Sequence, residues 1–400
     1  MRRTTLASIV APTVASSAYV LEIALFPIAM PGLERVFGLA RGDLVLLANV
    51  YGIAVAGAVL LGGWLGGRLG AMRVFVAGLV CFTLGGAIVA LAGDLSSLLV
   101  GRLVQGIGGG LLSPSIPVLL TRASAGRPGR ALALWNALSG FIVALAPLAG
   151  VPLVAEFGWQ AIFVLISAVA LAAIGLAVAG RPSGGPDPAA GPDGVGPAAA
   201  PVPRRWRWGL PGRPALFAYV GFNYGTILLF LFVVPLHLNE RGQDAALGAA
   251  VLGLFWASFT TVGLTLRNRF DGPLVGGFLA ASPILLMVGF LAFFAEGAPV
   301  LMPCLAALIV GAGFALGNAP STVLILRHAP DGQETLAASL DITAARLGSV
   351  AIIGMIGAWG PEAMRLGVLG VSLLGLACAL PFVRASRGPL PRGERIGRTG

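Results

Sequence analysis

The segment LLVGRLVQGIGGGLLSP, residues 98–114, places a single arginine, Arg102, within a long apolar run and follows it with a cluster of glycines. A charged side chain at the centre of a membrane helix costs at least about 2.5–3.5 kcal/mol, so it generally faces a cavity or a partner. Small residues such as Gly106 and Gly108 let helix backbones approach each other closely in a bilayer. The segment therefore predicts a tightly packed membrane helix whose one charge has a role inside the helix bundle.

The composition of the whole chain agrees with this. Of its 400 residues, 57% are hydrophobic and only 10% are charged, and the mean hydropathy is +0.92. A soluble domain carries roughly 25% charged residues. The formal net charge of +10 comes entirely from arginine, since the chain contains no lysine. Because the arginines lie between apolar runs and not on one soluble face, we expect a lipid bilayer as partner and no nucleic acid.

Metal and disulfide chemistry is not indicated. The three cysteines occur singly in apolar runs, and the two histidines lie near the ends of such runs. Neither spacing resembles a metal site or a disulfide framework. The first 20 residues resemble a signal peptide, with two arginines before an apolar stretch, but the apolar character continues past position 22. We expect an uncleaved first membrane span and no bound metal.

Twelve apolar runs, bounded by charges, proline or glycine, are long enough to cross a bilayer as helices. They fall at residues 6–30, 44–66, 73–93, 97–121, 130–155, 160–180, 214–236, 247–266, 273–296, 299–326, 333–358 and 362–383. The segment 181–213 is rich in Pro, Gly and Ala and is typical of a flexible linker. The layout predicts an all-α integral membrane protein of twelve transmembrane helices in two pseudo-symmetric six-helix bundles, 1–180 and 214–383, with a polar tail at 384–400.

The arginines also predict the orientation. Most of them fall in alternate connections, in the linker and at the two termini, whereas the opposite side holds only Arg35, Arg41, Arg241 and Arg365. Cytoplasmic loops carry an excess of Arg and Lys. We therefore expect both termini and the linker in the cytoplasm and the chain in the inner (plasma) membrane of a bacterium.

Four formal charges lie well inside predicted spans: Glu22, Arg102, Asp341 and Arg346. At 1.5 Å per residue, Glu22 lies about 24 Å from the cytoplasmic start of its helix, and Arg102 lies about 8 Å from the outer end of its own. Within a core of about 30 Å, both fall in the outer half, so an ion pair or a water-bridged pair is geometrically possible. Asp341 and Arg346 lie about 140° apart around one helix, which predicts separate partners for them.

The run GRLVQGIGGG resembles the R-x-x-Q-G-x-G motif on the fourth helix of the major facilitator superfamily, as found in its drug:proton antiporters. Arg102, Gln105, Gly106 and Gly108 all match. In that family the arginine is implicated in proton coupling, and acids on the first helix handle protons or cations. The resemblance thus implies that Arg102 tunes the protonation of a nearby acid, with Glu22 as the candidate.

Other segments extend the resemblance. The loop GGWLGGRLGAMR, residues 62–73, is similar to the superfamily signature between the second and third helices, G-x-L-x-D-R-x-G-R-R. The matching residues are Gly63, Leu65, Arg68, Gly70 and Arg73. Gly67 stands where the family has an aspartate that latches the cytoplasmic ends of the halves, so the usual latch is in doubt. A weaker second copy, residues 264–272, includes Arg269 and carries Asn268 at the acidic position.

Three further stretches resemble drug exporters of this superfamily. LEIALFPIAMP, residues 21–31, resembles the first-helix motif of the fourteen-helix branch, with Glu22 in place of the aspartate. ARLGSVAII, residues 345–353, resembles an R-x-x-G segment and includes Arg346. The fifth-helix antiporter motif is only partly met, by Pro147 and Gly150, and this weakens the argument for export.

We consider the remaining polar and aromatic residues of the spans as candidate substrate contacts together with Glu22. They are Asn49, Asn136, Asn223, Tyr224, Asn318 and Trp256. Asn136 matches Asp341 when the two halves are aligned, so it is a candidate neighbour of Asp341. Asp341 itself is a candidate for proton coupling; the alternative, which its position favours, is a polar contact between helices.

Two functions follow from these patterns. The first is a monomeric, proton-driven exporter of small hydrophobic or drug-like molecules that works by alternating access and needs no cofactor. The second is an importer or facilitator of a polar metabolite with the same fold, as the incomplete fifth-helix motif and Gly67 allow. A membrane enzyme would need a catalytic cluster, and the sequence contains no Ser/His/Asp arrangement, phosphate-binding loop or HExxH motif.

Overall fold

The computed structural model describes residues 3–123, 128–179, 213–270, 274–295, 299, 301–327 and 334–386. Twelve helical segments in this part of the chain are long and apolar enough to cross a membrane, so the predicted number of spans is confirmed. Helices suit this role because all their backbone hydrogen bonds are satisfied within the segment. The predicted linker at 181–213 and tail at 384–400 lie almost wholly outside the described residues, so the domain bounds stay a prediction.

The first half contains α1 (Arg3–Phe37), α2 (Arg41–Leu69), α3 (Ala71–Ala90), α4 (Leu95–Leu112), α5 (Ser115–Ala123), α6 (Pro128–Phe157) and α7 (Gln160–Ala179). The second half contains α8 (Arg213–Glu240), α9 (Ala245–Leu266), α10 (Val275–Phe293), α11 (Met302–Arg327), α12 (Glu334–Ile356) and α13 (Pro361–Ser386). A short 3-10 turn, Arg267–Arg269, follows α9.

The first span is longer than the sequence predicts. It was expected to end at residue 30, but α1 continues to Phe37 through Pro27 and Pro31. Proline is tolerated inside membrane helices because neighbouring helices and local adjustments satisfy the backbone groups that it frees.

The fourth span consists of two helices, α4 and α5, and not of one continuous helix. The N-cap just before this span is Asp94, whose Oδ1 accepts a hydrogen bond from Ser97 N at 2.7 Å, and this bond holds the pKa of the Asp94 carboxyl below its usual value. The span breaks before Pro114, which has no N–H for the carbonyl of Gly110. The Ser113 hydroxyl instead donates to that carbonyl at 3.4 Å.

The twelve spans pack as two bundles. In the first, α4 lies against α2 and α3, while α1 lies against α6 and α7. In the second, α11 lies against α9 and α10, while α8 lies against α12 and α13. The two bundles meet mainly where α2 packs along α12 and α6 packs along α9.

The α2–α12 contact extends over several helical turns. Thr343 Oγ1 donates to Ala56 O at 3.3 Å in its middle part. At the end where α2 begins, Arg41 Nη1 pairs with Glu240 Oε1 at 2.6 Å, and Arg41 Nε donates to Gly357 O at 3.0 Å. Since an exposed ion pair contributes only about 0–1 kcal/mol, helix packing is the main contribution to this contact.

Candidate functional site

A cavity of about 60 Å³ lies between the two bundles and is lined by α1, α2 and α4 from the first and by α8 and α12 from the second. Its walls carry three charged side chains, Glu22, Arg102 and Arg346. Pockets that bind drug-sized ligands measure about 300–1,000 Å³, so the cavity is too small for such a ligand in this conformation.

Glu22 and Arg102 form a buried ion pair on this cavity. Arg102 Nη1 donates to Glu22 Oε1 at 2.6 Å, and each side chain is only 2% exposed. The same nitrogen donates to Gln105 Oε1 at 2.9 Å. The guanidinium also lies over two rings, 3.9 Å from the centroid of Phe26 and 4.2 Å from that of Tyr51. These contacts offset the cost of burying the charge, because a buried pair is stable only when its other polar atoms are satisfied.

The glycines after Arg102 let α4 approach its neighbours closely. A Cβ on Gly106 would lie 2.7 Å from Tyr51 O on α2, and one on Gly108 would lie 2.6 Å from Phe82 Cα on α3. No side chain fits at such distances without the backbones moving apart. The glycines thus bring Arg102 within reach of α1 and α2, where Glu22 and Tyr51 lie.

Arg346 lines the same cavity from the second bundle and is 4% exposed. Its Nη2 donates to the Tyr19 hydroxyl at 2.6 Å. The centroids of three tyrosine rings surround its guanidinium carbon, at 5.7 Å for Tyr19, 5.9 Å for Tyr51 and 5.4 Å for Tyr224. Two predicted site residues, Arg346 and Tyr224, are therefore neighbours.

Asp341 is not part of the cavity wall. It is 8% exposed, and its Oδ2 accepts a hydrogen bond from Thr322 Oγ1 on α11 at 2.6 Å. This contact joins α11 and α12 of the second bundle. Asp341 and Arg346 therefore have different partners, as their positions around the helix predict. Asp341 thus makes a polar contact between helices in this conformation. The side chain of its candidate neighbour, Asn136, lies outside the described residues.

Substituting Thr322 with valine tests the structural importance of that contact. The change keeps the shape of the side chain but removes the donor to Asp341, so we expect the free energy of unfolding to fall by about 1 kcal/mol. Thermal unfolding of the purified protein in detergent measures this, and Thr322→Ser, which keeps the hydroxyl, should behave like wild type. Equal thermal unfolding midpoints for Thr322→Val and the wild type would show that the hydrogen bond between Thr322 and Asp341 contributes nothing to stability.

Of four other candidate substrate contacts, only Asn49 lines the cavity. Its Oδ1 has no hydrogen-bond partner among the described residues. Asn223 Nδ2 donates to Ser282 Oγ at 2.5 Å, away from the cavity. Trp256 packs between the rings of Phe255 and Phe259. Asn223 and Trp256 are therefore structural in this conformation. Asn318 does not line the cavity, and only its backbone carbonyl accepts a hydrogen bond, from Ser321.

The remaining motif residues lie away from the cavity. Gly70 has φ of 91° at the junction of α2 and α3, a conformation that favours glycine. Arg68 lies 4.1 Å over the ring of Trp64, while Arg73 and Arg269 are exposed. A Cβ on Gly63 would lie 3.1 Å from Ser339 Oγ across the contact between the bundles. In α6, Pro147 is buried, and a Cβ on Gly150 would lie 2.6 Å from Leu25 Cδ2.

Sequence reasoning found Tyr224 but missed the other three aromatic residues around the two arginines, Tyr19, Phe26 and Tyr51. Tyr19, Glu22 and Phe26 follow one another at spacings of three and four residues, which places them on one face of α1. That spacing was a readable signal. Tyr51 carried no comparable signal, because nothing in the sequence of α2 shows which of its sides faces the other bundle.

Comparisons with known proteins agree with this architecture. A family model described as Major Facilitator Superfamily matches residues 13–353. The tetracenomycin C resistance and export protein of Streptomyces glaucescens is 30% identical over 155 residues, which is 38% of this chain and 29% of that protein. The methylenomycin A resistance protein of Bacillus subtilis is 30% identical over 156 residues, 38% of this chain and 34% of the relative. The matched segments thus span about a third of these relatives.

Solved structures resemble the whole chain. The crystal structure of a D-xylose-proton symporter superposes with a TM-score of 0.74 at 16% identity, covering 94% of this chain and 97% of that one. A peptide transporter of the POT family in complex with sulfate gives a TM-score of 0.75 at 14% identity, covering 96% and 94%. At this level of identity the likeness concerns the fold alone.

Proposed function

Since the chain belongs to the Major Facilitator Superfamily, we propose that it is a secondary active transporter that exports small hydrophobic or drug-like molecules in exchange for protons. The observation that carries the proposal is the buried Glu22–Arg102 pair, 2.6 Å apart, on the wall of a cavity between the two bundles. The resistance proteins to which the chain is similar support export.

In this proposal Glu22 carries the proton. With the carboxylate ionised, the attraction of Arg102 holds the pair together across α1 and α4. A proton that reaches Glu22 neutralises it and removes most of that attraction, because one of the two charges is gone. The helices that form the cavity wall can then rearrange, and loss of the proton on the other side of the membrane restores the pair.

Alternating access supplies the second part of the cycle. The cavity, about 60 Å³ in this conformation, must widen to admit a drug-sized molecule. The bundles meet along α2–α12 and α6–α9, so separation at one end of these contacts would open the cavity toward that side. We propose that the chain works as a monomer in the bacterial plasma membrane, with both termini cytoplasmic and the proton gradient as its only energy source.

Retention of lipophilic dyes and antibiotics in efflux-deficient bacteria tests the export function. Cells with the wild-type protein should retain several-fold less of some compounds than cells with an empty vector, and an uncoupler should abolish that difference. The proposal fails if no compound is expelled or if the uncoupler has no effect. Proton-dependent uptake of a sugar, peptide or nucleoside by the same cells would favour the import of a polar metabolite.

A further inference from the structure

The charges on the cavity wall are unbalanced. Three charged side chains line it, one carboxylate and two guanidiniums. Glu22 is already paired with Arg102 at 2.6 Å, and within the described part of the chain no carboxylate lies within 4 Å of Arg346. Since arginine stays protonated in proteins, the cavity wall carries one net positive charge with Glu22 ionised and two with Glu22 protonated.

Most of the hydrogen-bonding capacity of Arg346 is unused. A guanidinium has five N–H donors. Among the described residues only the Tyr19 hydroxyl accepts from one of them. A buried arginine inside a membrane protein is costly unless it has a partner or a function. Four donors on a side chain that is 4% exposed, on the wall of a cavity, therefore point to a ligand that accepts them.

A second polar group on the same wall also has no partner. The Tyr51 hydroxyl is buried beside Gly109 of α4 and makes no hydrogen bond to any described residue, while its ring lies beside Arg346. A phenol can donate to an anion, and a guanidinium binds a carboxylate through two parallel bonds. Across the cavity, Leu228, Leu231 and Phe232 supply an apolar wall for the rest of such a molecule.

From these contacts we infer that the cavity selects organic anions, in particular carboxylates with an apolar or aromatic body, and that Arg346 is the residue that selects them. The inference rests on the proposed function in so far as the cavity is the transport site. Glu22 and Arg102 then serve the proton, while Arg346 serves the substrate. The cavity widens to admit the body of the anion in the same opening that transport requires, and the Tyr51 hydroxyl reaches the anion in that widened cavity.

Binding of two probes of nearly equal shape tests this. Purified full-length protein in detergent is titrated with 2-naphthoate and with 2-naphthamide, which lacks the charge, and the thermal unfolding midpoint and heat of binding are followed. We expect the wild type to bind naphthoate at least tenfold more tightly. Arg346→Gln should abolish that preference, and Arg346→Lys should keep part of it. Arg241→Gln, which removes an exposed arginine at the end of α8, should retain the full preference.

Tyr51→Phe is a second variant that tests the inference if Arg346→Gln does not fold. It removes only a hydroxyl that has no partner among the described residues, so we expect the variant to fold. It should weaken naphthoate binding several-fold and leave naphthamide unchanged. Equal binding of the two probes to wild type, or a preference that survives Arg346→Gln, overturns the inference. A preference that survives Arg346→Gln would mean that Arg346 serves as a second partner for Glu22 in another conformation.

These measurements separate the two proposals because they need no gradient. Proteoliposomes with an imposed pH gradient test export independently, with naphthoate and neutral dyes as the cargo. Naphthoate binding without gradient-driven transport of any of these compounds would refute the export proposal and support the anion site. Gradient-driven export of neutral dyes without any preference for naphthoate would refute the anion site alone.

Discussion

Replacing Glu22 by glutamine is expected to abolish proton-driven export. Glutamine has the size of glutamate and can still accept the hydrogen bond that Arg102 Nη1 donates at 2.6 Å, but it cannot take up a proton in the physiological range. Glutamine thus imitates the protonated carboxyl permanently: the hydrogen bond to Arg102 is kept, and the group that gains and loses the proton is gone. In cells that expel a dye through the wild-type protein, we expect the part of the export that an uncoupler inhibits to fall at least tenfold.

Two comparisons make this result specific. Glu22→Asp keeps a carboxylate and should retain part of the export, because the shorter side chain can still ionise next to Arg102. Glu362→Gln removes an exposed carboxylate from the first turn of α13, away from the contacts between the bundles, and should leave export near the wild-type level. Uncoupler-sensitive export by Glu22→Gln at the wild-type rate would exclude Glu22 as the proton carrier and move attention to Asp341.

Replacing Gly108 by alanine is expected to destabilise the first bundle strongly. The new Cβ would lie 2.6 Å from both Gly78 O and Phe82 Cα on α3, and backbone atoms cannot rotate away as a side chain can. Overpacking of this kind costs about 1–3 kcal/mol. Chemical unfolding of the purified protein in mixed micelles should therefore show a lower free energy of unfolding, and the yield of folded protein should fall.

A matched glycine supplies the control. Gly57 lies in the middle of α2, and nothing is within 4 Å of the Cβ that alanine would add there. Alanine is better than glycine in a helix interior by roughly 0.5–1 kcal/mol, so Gly57→Ala should be neutral or slightly stabilising. Similar stability of Gly108→Ala and Gly57→Ala would mean that α3 and α4 can separate without cost, against the close contact described above.

Much of the membrane topology could be predicted because it depends on local properties. A run of about 20 apolar residues matches the thickness of the hydrocarbon core wherever it lies in the chain. The C-terminal end of α1 could not be predicted well. Pro27 and Pro31 look like helix ends in isolation, but both are tolerated inside a packed bundle. The break between α4 and α5 was missed although Pro114 is visible in the sequence, because prolines elsewhere in the spans do not interrupt their helices.

The candidate site was predicted in part. Burying a charge in hydrocarbon is costly for any residue, so Glu22, Arg102, Asp341 and Arg346 stood out without knowledge of their neighbours. The depth of Glu22 and Arg102 made their pairing geometrically possible, and in the structure they are 2.6 Å apart. Asn223 and Trp256 were as plausible as Asn49 from sequence, yet they lie in packing contacts, while Asn49 lines the cavity.

The amino-acid sequence by itself determined the number of spans and the identity of the intramembrane charges, because each follows from the transfer of a residue or a run from water to lipid. Only the tertiary structure decided which charges face the cavity. A helix that is apolar on all sides carries little information about its rotation, since lipid and protein neighbours are similarly apolar. Packing therefore placed Arg346 on the cavity and Asp341 against Thr322, and it gathered three tyrosines from α1, α2 and α8 around one guanidinium.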